Sequence, residues 1–243
     1  MKTWLGKRYW LIGASEGLGA ALAKKLSNAG VHVVLSARNE GKLKELADAL
    51  PGPTTVQPVD VSSLDSLKEA ARAIGPIDGV VYLAGVYWPM PATKWQAEDA
   101  EAMADINFTG LVRAMGVVLP DMVERDAGHV VITGSLSAFR GLPGAIGYAA
   151  SKAGTMALAE SMYSDLRKTG VQVQIANPGF IRTRLTDKND FAMPFIMEPE
   201  DAAQAMFEHM NTDRFKISFP RPFSWLFRLS TLLPDSLYFR LFA

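Results

Sequence analysis

Three side chains near the middle of the chain have the types and spacing to move a proton. Tyr148 and Lys152 lie four residues apart. On a helix that spacing puts them on one face, one turn apart. A phenol titrates near ~10 and is a poor acid or base at neutral pH. An ammonium one turn away favours the phenolate and predicts a lowered tyrosine pKa. A tyrosine tuned in this way gives a proton to an alkoxide oxygen or takes one from an alcohol. Ser135 lies upstream, at the end of a predicted strand, with a hydroxyl able to hold the same oxygen. Tyr-x-x-x-Lys is also the spacing of an ordinary exposed helix pair, so its weight depends on what else the chain carries.

The elements that must position these residues can be read from pattern. Residues 129–133 are an apolar, β-branched run that predicts a buried strand. Gly134, Gly141, Pro143 and Gly144 then make a loop. Residues 148–166, rich in Ala, Met, Leu, Ser and Glu, predict a helix. Further strands are predicted at 8–12, 31–36, 54–59, 77–83, 171–176 and 215–219. Helices are predicted at 20–29, 40–50, 97–124 and 200–210, with another capped by Ser62, running to Ile74 and carrying Asp65 in its first turn. Strands alternating with helices of this length imply repeated βαβ units. The expected fold is α/β, a doubly wound, mostly parallel seven-stranded sheet with helices on both faces. With no low-complexity linker, residues 1–243 read as one domain. In such a sheet the ligand lies beyond the carboxyl ends of the strands.

Composition removes several other chemistries. The 243 residues are 49% hydrophobic, which is ample for a core, and their formal net charge is zero, which gives no footprint for nucleic acid. There is no cysteine, hence no disulfide, thiol catalysis or thiolate metal site. His32, His129 and His209 are scattered, two of them opening predicted strands, and read as structural rather than as metal ligands. Residues 1–12 carry Lys2, Lys7 and Arg8 but no long apolar core or small-residue cleavage site, so no signal peptide is expected. No unbroken apolar run reaches the roughly 18 residues of a spanning helix. A cytoplasmic protein is expected, with peripheral membrane contact as an alternative raised by the C-terminal end.

The predicted strand ends carry a second constellation. Gly13-Ala-Ser15-Glu16-Gly17-Leu18-Gly19 joins the first strand to the first helix. Glycines there let the backbone turn tightly and approach a pyrophosphate at the positive helix end. The second strand ends Ser36-Ala-Arg38-Asn, without the acid that would bind a ribose 2′-hydroxyl. Arg38, aided by Ser36, suits a 2′-phosphate and so NADP(H), while Glu16 adds negative charge that leaves NAD(H) open. A solvated arginine fits the same loop. Asp60, with Val61, can meet an adenine amino group or cap the next helix. Asn107 sits in the middle of the long predicted helix, where asparagine is a poor fit and predicts a bend.

Taken together these residues resemble the short-chain dehydrogenase/reductase family in its compact form. The matching features are Gly13-x-x-x-Gly17-x-Gly19, Asp60-Val61, Ala84-Gly85, Asn107, Ser135, Tyr148-x-x-x-Lys152 and Pro178-Gly179 with Thr183, over about residues 8 to 210. The resemblance implies a Rossmann-type fold, a nicotinamide cofactor and a homodimer or homotetramer. It implies Tyr148 as acid/base, Lys152 lowering its pKa and holding the nicotinamide ribose, Ser135 orienting the substrate oxygen, and Asn107 holding a relay water. Pro178, Gly179, Ile181 and Thr183 would flank the nicotinamide amide and pyrophosphate. Two departures stand out. The segment after the fourth strand reads Tyr82-Leu83-Ala84-Gly85 where the family often has Asn-Asn-Ala-Gly, leaving backbone contacts to Leu83, Ala84 and Gly85. Glu16 stands where NADP-preferring members often carry a basic residue.

The implied reaction is hydride transfer between the nicotinamide and an apolar ketone, aldehyde or secondary alcohol. Residues 86–90, 136–142 and 180–197 are rich in apolar and aromatic side chains, which suit such a substrate or equally a covered core or interface. Arg140, Arg182 and Arg184 suit an anionic group or plain solvation. A dinucleotide-binding sensor or scaffold without turnover is the alternative function, and retention of all four catalytic positions argues against it. Beyond Phe219 the chain predicts two short apolar helices split at Pro234, carrying Arg221, Arg228 and Arg240. These suit a subunit interface or a membrane surface, the interface being placed first.

Overall fold

Every strand but the edge strands β3 and β7 is built round a buried apolar run, and all seven join one sheet. In a computed structural model that describes residues 3–242, these are β1 (Arg8–Ile12), β2 (His32–Ser36), β3 (Thr54–Val56), β4 (Gly79–Tyr82), β5 (Gly128–Thr133), β6 (Val171–Pro178) and β7 (Lys216–Phe219). Met1, Lys2 and Ala243 lie outside the described residues, so the charge of Lys2 and the last residue of the C-terminal extension receive no structural account. The strand order is β3-β2-β1-β4-β5-β6-β7, and every pairing is parallel. The expected doubly wound Rossmann-type sheet is therefore observed, with no antiparallel strand among the described residues. The order reverses between β1 and β4, which opens a crevice at their carboxyl ends.

The helices are α1 (Gly17–Asn28), α2 (Glu40–Asp48), α3 (Leu64–Ile74), α4 (Ala97–Ala104), α5 (Gly110–Glu124), α6 (Ile146–Leu166), α7 (Pro199–Met210), α8 (Arg221–Ser230) and α9 (Asp235–Phe242). Period-two alternation along the strands divides the core. Trp10, Ile12, Val80, Tyr82, Val130 and Ile132 pack against α3, α5 and α6 on one face. Tyr9, Leu11, Val33, Leu35, Val81 and Val131 pack against α1, α2 and α7 on the other. Each such buried side chain contributes about 1.5–3 kcal/mol of transfer free energy. His129 bridges Tyr9 and Gln174 at 2.8 Å each, and His32 meets Thr55 at 2.8 Å, which is the structural use expected of them.

Three local expectations change. Helix α1 begins at Gly17, not Ala20, so the last two loop glycines already belong to its first turn. Ser63, not Ser62, caps α3, accepting from the Ser66 amide at 3.2 Å. Ser62 instead donates its amide and hydroxyl to Asp60 at 2.9 and 2.7 Å. Strand β6 runs on to Pro178, because its partner β7 continues alongside it to Phe219.

The bend expected at Asn107 is real. Between α4 and α5 the helix widens to a π turn over Asp105–Thr109. The whole run Ala97–Glu124 is long and apolar enough to cross a membrane by length and composition. Here Met103, Leu111, Ala114, Met115, Val118 and Met122 bury it against the protein. The Tyr82 hydroxyl reaches into the π turn and donates to the Ile106 carbonyl at 2.6 Å. A Cβ at Gly110 would stand 2.5 Å from that hydroxyl, so the close approach requires glycine. Tyr82 is thus one answer to the missing asparagines after β4: a strand residue holds the bent helix directly. Tyr82→Phe keeps the ring and orphans the carbonyl. It should lower stability by about 1–2 kcal/mol, read as a lower urea midpoint with an unchanged slope.

Candidate active site

The carboxyl ends of β1, β2, β4, β5 and β6 open on one cavity of ≈1090 Å³. Its lining includes Gly13, Ser15, Glu16, Gly17, Leu18, Gly19, Arg38, Asp60, Val61, Leu83, Ala84, Gly85, Tyr148, Lys152, Pro178, Gly179, Ile181 and Thr183. The glycines are there for close packing. Gly13 has φ +99° and a Cβ on it would run into the Ala84 backbone. Gly17 has φ +55° and a Cβ on it would lie 2.8 Å from Thr183 Cγ2. Helix α1 starts at this loop with no side-chain hydrogen bond from its N-cap residue, Glu16, and no acid in its first turn. Its first amides are left to an anion, as a pyrophosphate needs.

One expected contact is corrected. Ser36 is fully buried, accepts from Trp10 Nε1 at 2.7 Å and donates to the Gln57 carbonyl at 2.5 Å. Both capacities of its hydroxyl are used beneath the cavity floor, so it cannot help Arg38 hold a phosphate. Glu16 also changes meaning. Its carboxylate is bridged by Lys42 and by Arg184, each at 2.8 Å. The negative charge at the rim is thus matched by two cations, with Arg38 a third beside Asp60. Hydrogen bonds from Ser62, aided by the nearby arginines, hold the Asp60 carboxyl below its usual range despite some burial. Lys42 was not anticipated, although it lies four residues after Arg38 on the first turn of α2, where the spacing could have revealed it.

The proton-handling residues meet where β5 and α6 converge. Lys152 is buried, and its Nζ donates to the Thr133 carbonyl at 2.8 Å. Burial pushes its pKa down to about 8. Tyr148 is pushed up to about 12 by burial, while a hydrogen bond with Ser135 pulls it back and neighbouring Tyr87 adds to the rise. The spacing of Tyr148 and Lys152 predicts the opposite direction. The reason is geometric: the ammonium is turned to the strand end and stands 5.8 Å from the tyrosine ring centre, so desolvation outweighs its field.

Asn107 is almost fully buried in the π turn. Its Oδ1 accepts from the Val86 amide at 2.7 Å, and its Nδ2 donates to the Val86 carbonyl and to Ser151 Oγ, each at 3.0 Å. Both amide protons are therefore spent within the protein. A relay water on this side chain has only the remaining Oδ1 lone pair, so the observed use of Asn107 is to hold the chain after β4.

Of the three loops expected to wall a substrate pocket, residues 86–90 and 180–197 touch each other. Lys188 donates to the Tyr87 carbonyl at 2.8 Å and lies 4.1 Å over the Trp88 ring centre. Met90 bridges to Ala145, and Ile181 to Met197. Tyr87 meets Tyr148 edge-on at 5.1 Å. The C-terminal extension joins the last of these loops: the ring of Phe223 on α8 lies 5.7 Å from Phe180 and 5.8 Å from Phe195.

Residues 7–193 match the model of the family described as short chain dehydrogenase. The chain belongs to the short-chain dehydrogenase family. Among curated relatives, an uncharacterized oxidoreductase of Myxococcus xanthus is 40% identical over 235 residues, covering 94% of this chain and 93% of the relative. An uncharacterized oxidoreductase of Staphylococcus epidermidis is 33% identical, covering 81% of this chain and 87% of that one. Among solved structures, a short-chain dehydrogenase/reductase from Burkholderia phymatum in complex with NAD has TM-score 0.87 at 24% identity, covering 95% and 94% of the two chains. An alcohol dehydrogenase from Thermococcus sibiricus complexed with 5-hydroxy-NADP has TM-score 0.79 at 22% identity, covering 88% and 95%. These two likenesses show the fold. As a short-chain dehydrogenase the protein is an NAD(P)-dependent oxidoreductase.

None of Arg140, Arg182 and Arg184 is simply solvated. Arg182 pairs with Glu198 at 2.8 Å, and Arg184 with Glu16 as above. Arg140 leaves the loop after Ser135 and clamps the C-terminal extension. Its guanidinium donates to the Ser230 and Leu233 carbonyls at 2.6 and 2.8 Å, pairs with Asp235, and lies 3.9 Å over the Tyr238 ring centre. Tyr238 returns a hydrogen bond to the Gly141 carbonyl at 2.6 Å. Arg140→Ala should release α8 and α9 from this short-chain dehydrogenase. Limited trypsin digestion would then cut at Arg228 or Arg240 several-fold faster than in the parent.

Proposed function

We propose that the protein is a cytoplasmic carbonyl reductase that prefers NADP(H), acts on apolar ketones or aldehydes, and runs in reverse on secondary alcohols. Residues 1–243 would act as one domain, assembled as a homodimer or homotetramer. The observation that carries this reading is the meeting of half-buried Tyr148 with buried Ser135 and Lys152 beside a glycine cradle whose helix end is uncapped by side chains. When bound, the nicotinamide cofactor supplies or accepts the hydride. Gly13 to Gly19 and the first turn of α1 would hold its pyrophosphate, with Thr183 alongside. Asp60 and Val61 would meet the adenine, and Lys152 the nicotinamide ribose.

Ser135 orients the carbonyl oxygen, and Tyr148 gives that oxygen its proton. A phenol held near pKa 12 stays protonated at neutral pH, which suits reduction. Burial brings the Lys152 ammonium to about 8, so its positive charge is lost as pH rises through that value. Reduction should therefore be level at neutral pH and fall above about pH 8. Lys152→Arg, which keeps its charge, should move the fall to higher pH in any profile where it retains turnover. Tyr148→Phe should cost about 10²–10⁴-fold in turnover and leave cofactor binding intact. A sensor without turnover would lose nothing.

The preference for NADP(H) rests on the rim charges. With Glu16 neutralised by Lys42 and Arg184, Arg38 is left for a 2′-phosphate. Titration of the purified protein with NADPH and with NADH tests this directly. NADPH should bind more tightly, and Arg38→Ala should weaken NADPH roughly tenfold or more while sparing NADH. Equal binding, or tighter NADH, would overturn the preference. Binding of neither would overturn the enzyme reading.

A further inference from the structure

We infer that the outward face of α8 and α9, together with the tip of the 180–197 loop, docks on the surface of an anionic lipid bilayer. The sequence sets up two faces on each short helix. On α8, Phe223, Ser224 and Ser230 turn inward, and Trp225, Leu226 and Leu229 stay exposed. On α9, Tyr238 turns inward, and Leu237, Phe239 and Leu241 stay exposed. Leu232, between them, is 78% exposed. Exposed apolar residues scattered singly need no partner, but a cluster of this kind does.

The extension also touches the 180–197 loop. Phe195 in the 180–197 loop is 57% exposed, and its ring lies 5.8 Å from that of Phe223. Phe180 links Phe223 at 5.7 Å to exposed Phe191 at 5.9 Å. The inward side of α8 therefore backs onto a loop that carries exposed apolar rings of its own, Phe191 and Phe195. The Arg140 clamp fixes the extension in place there.

Charge selects the occupant. Arg221, Arg228 and Arg240 are exposed on α8 and α9, whose single acid, Asp235, is paired to Arg140, while the loop tip adds Lys188 between Asp187 and Asp190. The chain as a whole is neutral, so this is a local positive excess. A second copy docked about a two-fold axis would set the same patch against itself. Three arginines would face three arginines, with Asp235 already taken. This weighs against the subunit interface that the sequence alone puts first. Aromatic and leucine side chains rimmed by arginines instead match the boundary of headgroups and acyl chains in an anionic membrane.

The inference does not rest on the proposed reduction, and its test reads binding alone. The full chain is floated with vesicles of phosphatidylcholine and phosphatidylglycerol, and with vesicles of phosphatidylcholine alone, at low and high salt. It should float with the anionic vesicles, only weakly with the neutral ones, and less at high salt. Replacing the arginines together, Arg221→Gln, Arg228→Gln and Arg240→Gln, should lower partitioning roughly a hundredfold. Replacing Trp225→Ser, Leu226→Ser and Leu229→Ser together should abolish it. Each variant is compared with the parent in NADPH and NADH titrations and in thermal melting, which separates lost docking from lost folding. A parent chain that floats with neither vesicle overturns the proposal. So does flotation unchanged in folded variants. If the apolar variant falls from oligomer to monomer on gel filtration while its flotation is unchanged, a second copy owns the face and the proposal fails.

Discussion

The site depends on one clasp. Asn107, in the π turn, both accepts from and donates to the backbone of Val86, and a third hydrogen bond goes to Ser151 on α6. Ser151 in turn donates to the Tyr148 carbonyl at 2.8 Å. A single buried amide therefore ties the segment after β4, the bent helix and the first turn of α6. Without the π turn, Asn107 would sit in a regular helix and its side chain would point elsewhere. With it, a Cβ built on Gly85 would stand 3.4 Å from Asn107 Oδ1 and 4.0 Å from Lys152 Nζ. Buried polar groups must be satisfied, and here satisfying one of them sets the distance between the cofactor cradle and the proton donor.

Much of this was legible in the sequence, and the residues show why. Repeating βαβ alternation is a long-range pattern that local errors do not erase, so the doubly wound fold and the cavity edge followed from it. The glycines of the first loop were readable because only close backbone packing demands them there. Asn107 announced a bend because asparagine competes with the helix it sits in. The failures are of another kind. Ser36 was placed at a strand end correctly, but no pattern reveals that Trp10 and Gln57 consume its hydroxyl from neighbouring strands. Arg140 looks like any loop arginine until a segment ninety or more residues later folds over it. Glu16 looked repulsive to a phosphate because its two cations come from α2 and from the 180–197 loop.

The same limit explains the tyrosine. Spacing on a helix places Tyr148 and Lys152 on one face, but not where the ammonium points. Its hydrogen bond to Thr133 draws it to the sheet, and burial then acts on both groups with opposite sign. The lysine is weakened as a charge and the phenol strengthened as a proton store. Desolvation, a property of the assembled fold, wins over a pairwise attraction read from the chain.

The clamp of Arg140 on Ser230, Leu233 and Asp235 orders the birth of the site in time. A chain grows from its N-terminus, and early segments can begin to organise while later ones are still being made. The glycine cradle, the tyrosine and the lysine all precede residue 153, whereas α8 and α9 follow residue 220. The loop of Arg140 is therefore made well before the carbonyls and the carboxylate that hold its guanidinium, and its place is fixed only when they arrive.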